Sequence, residues 1–315
     1  MEKKIKLNTP KIKRFLFGRY GEYGLITKIF LYTILIGISF IFLYPILQML
    51  VTSFMGLEDL IDPTTIWIPS KFVFKNYVYA YRTLNFAKAL KDSIIVSLFP
   101  TIFSIISSSL IGYGFAQFSF PGKKIWLSLV VVVFLIPTLL MNIPTYVLYN
   151  NLGLLKSLKA YIYPAICGYG IRQSVFILIF YQFFKMMPKE LSESAEVDGA
   201  TAFQIFIKIA IPTAIPAFII CALYSFVWYW NETTLAASYF AGKYRTLQMA
   251  VVNFESVFRE KFPSGNVGLD SANESFNQGV LFAGTILSIL PLLILYAFTQ
   301  KWFVESADKV GIAGN

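Results

Sequence analysis

Met187-Pro-Lys-Glu-Leu-Ser-Glu-Ser-Ala-Glu-Val-Asp-Gly-Ala-Thr-Ala-Phe-Gln204, resumed at Ile209-Ala-Ile-Pro212, lies between two strongly apolar runs at 161–184 and 215–240. Pro188 suits the first position of a helix, where its missing N–H is no loss. Glu190 and Glu193 then fall in or near the first turn, where the helix dipole favours negative charge. Gly199 is placed to stop that helix in a left-handed conformation. Thr201 followed by Gln204 is a capping-box pattern that starts a second helix. The stretch therefore encodes helix, glycine break and helix, with an acidic rim, between two apolar runs. Such a bent knob is suited to docking into a groove on a cytoplasmic partner.

The runs on either side are long enough to cross a hydrocarbon core of about 30 Å, which needs roughly 20 helical residues. Six such spans are read along the chain, at 29–54, 94–115, 125–149, 161–184, 215–240 and 280–304. Over the whole chain 57% of residues are hydrophobic and 14% charged, with a mean hydropathy of +0.63. A soluble domain carries about a quarter of charged residues, so the expected class is an all-α integral membrane protein. The expected organisation is a basic leader at 1–28, the first helix at 29–54, an extracellular loop at 55–92, a five-helix core at 93–304 with its polar loop at 186–212, and a tail at 305–315.

Charge supplies the orientation. Eight basic residues, from Lys3 to Lys28, precede the first span, which is the positive-inside pattern. With six spans both termini then lie in the cytoplasm, in contact with membrane lipid of the acidic inner leaflet. On this topology 15 basic residues lie inside, 11 lie outside, and Arg172 lies within a span. The net charge of +10 could suggest nucleic acid, but this distribution points to a membrane instead. The apolar run at 29–51 is too long for a signal-peptide h-region, and no small-residue cleavage site follows it. Cys167 and Cys221 sit in apolar runs and read as buried spectator thiols.

The polar loop resembles the EAA loop of the permease subunits of bacterial ABC importers: Glu, two small residues, three more, Gly, nine more, then Ile-x-Leu-Pro. Glu193, Ser194, Ala195, Gly199, Ile209, Ile211 and Pro212 occupy those positions, with Ser194 for alanine and Ile211 for leucine. Three further elements resemble the carbohydrate importers of this group, in particular the second permease of maltose-type pairs. These are Phe184-Lys-Met-Met-Pro-Lys-Glu-Leu191, Trp230-Asn231-Glu232, and Gln300-Lys-Trp-Phe-Val304 with its short tail. The polar segment at 254–277 departs from the pattern in length. The resemblance implies a type I ABC importer fold in a bacterial plasma membrane, with the loop docked on an ATPase through Glu193, Ser194, Ala195, Asp198, Gly199, Ala200 and Pro212. It implies as partners a second permease, two ATPase subunits, a solute-binding protein and a carbohydrate, the last expected to be an oligosaccharide.

Within the spans, Arg172 and Glu232 are the embedded charges, and charge there is costly unless paired or wet. Counting from the outer ends at 1.5 Å per residue puts them ~16 and ~12 Å deep, close enough in level to pair or to face one cavity. Trp228 and Trp230 flank that depth. Rings can pack on the C–H faces of a sugar, while Asn231 and Glu232 could bond its hydroxyls. Trp228, Trp230, Asn231, Glu232 and Arg172 are thus candidate pathway residues. In span two, Ser107, Ser108, Ser109, Gly112 and Gly114 form a small-residue patch expected to let helices approach closely.

The sequence has no histidine and no phosphate-binding Gly-x-x-x-x-Gly-Lys-Ser/Thr loop. No catalytic or metal-binding cluster is read. The chain is expected to be a transport subunit and not an enzyme, with no cofactor of its own and with ATP and Mg on the partner ATPases. An ion-coupled secondary carrier would call for further carboxylates or histidines within the spans. A passive channel would leave the polar loop unexplained.

Overall fold

The structure, a computed structural model, describes residues 18–19, 22–263 and 276–312, with side chains over 24–263 and 276–302. The expectations for 1–17 and for residues 264–275 of the polar segment at 254–277 lie outside the described residues. The chain divides into two units, Met1–Asn76 with Leu269–Ala283 and Tyr77–Gly268 with Gly284–Asn315.

In the first unit a short antiparallel pair, β1 (Gly18–Arg19) and β2 (Glu22–Tyr23), precedes α1 (Leu25–Thr52). Helix α1 runs through Pro45 without a break, and its most apolar 18-residue window buries nothing. An apolar helix with every face open is stable only in lipid or against another protein. After α2 (Leu57–Ile61) the chain is tied back by the buried Asn76, whose Nδ2 donates to the Ser53 and Met55 carbonyls, both at 2.9 Å.

Helices α3 (Lys75–Leu84) and α4 (Phe86–Gln117) lead into the second unit. Its core is α4 packed against α8 (Gln173–Lys185) and α11 (Ile215–Asn231). Small residues make the contact close. A Cβ on Gly112 would lie 2.6 Å from Phe180 Cβ and 2.9 Å from the Tyr181 backbone nitrogen, whereas one on Gly114 meets nothing within 4 Å. Only the Gly112 part of the expected patch is therefore a glycine contact. Gly112→Val should force α4 and α8 apart, destabilising the protein by about 1–3 kcal/mol. Gly114→Ala should be neutral, with both read as thermal unfolding of the purified protein in detergent.

At the Gln117 end of α4, Tyr113, Phe180, Phe184, Phe206 and Cys221 form an apolar cluster. Toward the Phe86 end, Val96, Tyr149, Tyr161, Tyr229, Tyr239 and Phe240 form a second, tyrosine-rich one. Thirty-two residues at 1.5 Å each place the two ends of α4 about 48 Å apart.

Several expected spans are not single helices. The run at 125–149 is α5 (Lys123–Leu135) and α6 (Thr138–Asn151), bent by 103°. Pro137 lacks an N–H and pushes Ile136 out of the helical region. The run at 161–184 is α7 (Lys159–Ile166) and α8, parted by an irregular stretch at 167–172. The run at 215–240 ends as a helix at Asn231, and α12 (Thr234–Phe240) follows an extended Glu232. Among the described residues three helices are long and apolar enough to cross a membrane: α1, α4 and the last helix, α15, over Gln278–Trp302. Counting each bent pair as one span raises the number to five.

The polar loop folds into α9 (Lys189–Val197) and α10 (Ala202–Thr213). Between the breaks and the last helix lie α13 (Leu247–Val252) and α14 (Phe254–Lys261), before α15 (Gln278–Ile312).

Candidate functional site

The polar loop has the expected helix–break–helix form. Pro188 stands at the N-cap of α9, one place earlier than the sequence suggests. Gly199 takes φ +80°, and Ala200 N donates to the Ala195 carbonyl at 2.9 Å, which closes the turn. Thr201 caps α10 as a complete capping box: Gln204 N donates to Thr201 Oγ1 at 3.3 Å, and Thr201 N to Gln204 Oε1 at 2.8 Å. The middle of α10 widens into a π-helical segment, Phe206–Ala210, and the chain turns by 78° into α11 beyond Pro212. Such π segments are rare and frequently mark functional sites.

This loop is anchored on one side and open on the other. Phe206 is buried against Tyr113 at 4.9 Å between ring centroids and against Phe184 at 6.1 Å, while Gln117 Nε2 donates to the Phe184 carbonyl at 2.7 Å. Glu193, Ser194, Asp198 and Gly199 are exposed and Ala195 and Ala200 half-buried. Two apolar side chains stand outward among them, Val197 at 89% and Phe203 at 64% exposure. No atom lies within 4 Å of a Cβ built on Gly199, so its glycine is required by backbone conformation and not by space.

The second feature is the break at 167–172, built by Gly168 (φ +82°) and by Arg172, itself left-handed at φ +50°. Gln173 holds it. Its Oε1 accepts from Gly170 N at 2.6 Å, and its Nε2 donates to Ser107 Oγ at 2.6 Å, to the Ala165 carbonyl at 3.0 Å and to the Ser104 carbonyl at 3.1 Å. Ser107 Oγ also donates to the Ala165 carbonyl at 2.5 Å, and Ile171 N donates to the Tyr229 hydroxyl at 3.2 Å. Backbone freed from a helix at this depth must find such partners, because lipid offers none. Gly170 has no room for a side chain: a Cβ there would sit 2.6 Å from Tyr229 Oη. Sequence reading did not single out Gln173. A glutamine three residues beyond a glycine in an apolar run was the available signal.

The candidate pathway residues separate. Trp230 is buried, packed on Phe226 at 5.6 Å, and cannot touch a solute from its place in the core. Trp228 is half-buried, stacked on Phe176 at 5.1 Å, and carries the Arg172 guanidinium over its ring at 5.2 Å. Asn231 is exposed. Glu232 turns to its own chain, Oε1 accepting from Leu235 N at 2.9 Å in the first turn of α12. Arg172 and Glu232 therefore do not pair, although their levels allow it. Each has a nearer partner, a ring face and a helix N-terminus, that costs less side-chain ordering. Charge reversal at both should give additive losses, with a coupling below about 0.5 kcal/mol in a double-mutant cycle on thermal stability. Cys167, read as buried, is exposed at the break, while Cys221 is buried as expected. The helix break turns Cys167 out of the packed surface.

Residues 104–308 match the family described as binding-protein-dependent transport system inner membrane component. The chain is 30% identical over 274 residues to a probable ABC transporter permease protein of Pyrococcus horikoshii, covering 86% of this chain and 91% of that one. It is 26% identical to an arabinooligosaccharides transport system permease protein of Halalkalibacterium halodurans, covering 88% and 93% of the two chains. It is 29% identical to a polygalacturonan/rhamnogalacturonan transport system permease protein of Bacillus subtilis, covering 90% and 97%. In fold it is similar to a chain of a bacterial ABC transporter involved in the import of the acidic polysaccharide alginate, with a TM-score of 0.70 and 22% identity, over 90% of this chain and 99% of that one.

Proposed function

The chain belongs to the family of binding-protein-dependent transport system inner membrane components, and from that premise we propose that it is a pore-forming subunit of a carbohydrate importer driven by ATP. It is a multi-pass membrane permease of the ABC class, with the overall fold of an ABC importer subunit. Several relatives are named as permeases for saccharides, namely arabinooligosaccharides, polygalacturonan or rhamnogalacturonan, and trehalose, and one for osmoprotective compounds; the preponderance supports a saccharide as cargo. In this reading the bent runs at 125–149, 161–184 and 215–240 each complete one crossing, giving six spans with both termini in the cytoplasm. A second permease closes the pathway, two ATPase subunits bind and hydrolyse Mg-ATP, and a solute-binding protein delivers the cargo.

The observation that carries the coupling role is the knob itself: α9 and α10, bent at Gly199, anchored through Phe206, with Val197 and Phe203 facing outward. Burying two such side chains contributes about 1.5–3 kcal/mol each. An ATPase seated there would pass its opening and closing to α8 and α11, the two core helices that flank the loop, in a hinge-like change.

The test compares two substitutions at Gly199. Asparagine tolerates the left-handed region and valine does not, so Gly199→Asn should retain the ATPase in a mild-detergent pull-down while Gly199→Val loses it. Recovery of a second permease with both variants would show that the spans themselves remain assembled. Undiminished ATPase recovery with Gly199→Val would sink the coupling role.

A further inference from the structure

The end of the second unit away from the knob carries more positive charge than membrane topology asks for. Across 77–92, 150–160 and 241–263 there are nine lysines and arginines against Asp92, Glu255 and Glu260. The cytoplasmic side still holds more basic residues, but the positive-inside bias does not account for a surplus of cations over carboxylates at this end.

Six of these cations are drawn to one end of the fold. Lys88 and Lys91 lie in the first turns of α4, and Arg245 is bound beside them, its backbone N donating to Asp92 Oδ2 at 3.0 Å. Lys156 N donates to the Tyr239 carbonyl at 2.7 Å, which sets Lys156 and Lys159 against the end of α12. Lys243 follows directly, its N bonded to the Phe240 carbonyl at 3.0 Å. All six side chains are exposed. The one carboxylate among them, Asp92, is buried and holds a backbone N–H, so it does not neutralise them from the surface.

Ring contacts run from this rim to the break in the fourth run. Tyr244 packs on Phe240 at 5.2 Å, Phe240 on Tyr161 at 4.9 Å, and Tyr161 on Tyr229 at 5.2 Å, whose hydroxyl holds Ile171 N. Next to Ile171 stands Arg172, exposed, with its guanidinium over Trp228 and no carboxylate within 4 Å among the described residues. Helix α8 has 13 residues, so Arg172 lies about 20 Å from the loop end of that helix. An exposed arginine on non-helical backbone within a membrane is stable where it faces the interior of the helix assembly or a water-filled cavity. It offers a planar fork of N–H donors for a carboxylate, and the exposed Tyr169, three residues earlier in the same break, offers a ring to a sugar, the faces of Trp228 being taken by Phe176 and by the guanidinium itself.

We propose that the cargo is an anionic saccharide, a carboxylate-bearing oligosaccharide drawn in by the basic rim and received at Arg172 beside Trp228. This rests on the carbohydrate-importer reading and narrows it. A lined entry of one sign raises the encounter rate of an opposite charge by ten-fold or more and does so less at high salt. An acidic face of the binding protein seated on the rim is the competing outcome of the test.

The experiment uses native cells with and without the gene, grown on partial hydrolysates of pectin, alginate, glucuronoxylan, arabinan and starch. Mass spectrometry follows which oligosaccharides leave the medium. Selective persistence of carboxylated oligosaccharides in the deletion strain supports the proposal. Persistence of neutral ones overturns it and leaves the importer reading standing. If no saccharide persists, the carbohydrate reading itself fails and this inference with it. In the complemented strain, Arg172→Gln and the rim variant Lys243→Gln with Arg245→Gln are compared at equal membrane levels. Each should slow uptake of the carboxylated oligosaccharide by about ten-fold at low salt, less so at 0.5 M, with methyl-esterified oligosaccharide as the uncharged comparison. Equal slowing of the esterified form would assign the rim to protein docking and overturn the proposal, as would wild-type rates in both variants.

Discussion

Gln173→Leu should lower the thermal stability of the purified protein by more than any surface substitution and reduce transport at least ten-fold. The leucine fills a similar volume but makes none of the four hydrogen bonds. The N–H of Gly170 loses its acceptor, and the buried carbonyls of Ser104 and Ala165 each lose one of their donors, Ala165 keeping that from Gly168 N at 3.3 Å. Each buried polar group stranded in this way costs about 1–3 kcal/mol. Ser107 continues to donate to the Ala165 carbonyl, which limits the loss there. The expected total is therefore about 2–5 kcal/mol, visible as a shift in unfolding temperature in detergent. Gln173→Glu separates the two halves of the clamp, since it keeps the acceptor for Gly170 and removes the donors. If Gln173→Leu unfolds at the wild-type temperature, the break is held by its glycines alone and Gln173 is not its clamp.

The second large effect belongs to the knob. Val197→Asp combined with Phe203→Asp should leave the isolated permease folded, because both side chains are exposed in it, and should remove its association with the ATPase. Losing about 2 kcal/mol of apolar burial at each position amounts to roughly a thousand-fold in affinity. The two new carboxylates add to the acidic rim of Glu190, Glu193, Glu196 and Asp198 and have no cations of this chain beside them in α9 except Lys189. The measurement is ATPase recovery in a pull-down beside the unfolding temperature of the same preparation. A lowered unfolding temperature would show that the pair supports the fold, and retained ATPase would move the contact elsewhere.

Of these two features, the sequence alone shows the knob and not the clamp. The knob was legible because its form is set locally. A proline, a glycine thirteen residues before a second proline, and a threonine three residues before a glutamine each act on the backbone within one helical turn. The structure keeps the stop at Gly199 and the capping box of Thr201 and Gln204 where the sequence puts them. The membrane class was legible for a comparable reason. Apolar content over some twenty residues is a sum, and a sum needs no knowledge of neighbours.

The breaks were not legible, because a sum cannot see them. Residues 161–184 stay apolar across 167–172, and the break is stable only because Gln173 from one helix meets Ser104, Ser107 and Ala165 from two others. The same holds for the embedded charges. Spacing placed Arg172 and Glu232 at similar levels, but spacing along a chain says nothing of azimuth, and the fold turns one onto Trp228 and the other onto Leu235 N. Trp230, equal to Trp228 in every sequence-level respect, is buried because two residues along a helix rotate a side chain by about 200°. By itself the sequence determined that the chain enters a membrane, where it bends at the knob and what charge it carries, since these follow from residue type and short spacing. Only the tertiary structure decided which polar groups clamp the broken helix and which of the aromatic and charged side chains reach water, because those outcomes depend on surfaces brought together from distant parts of the chain.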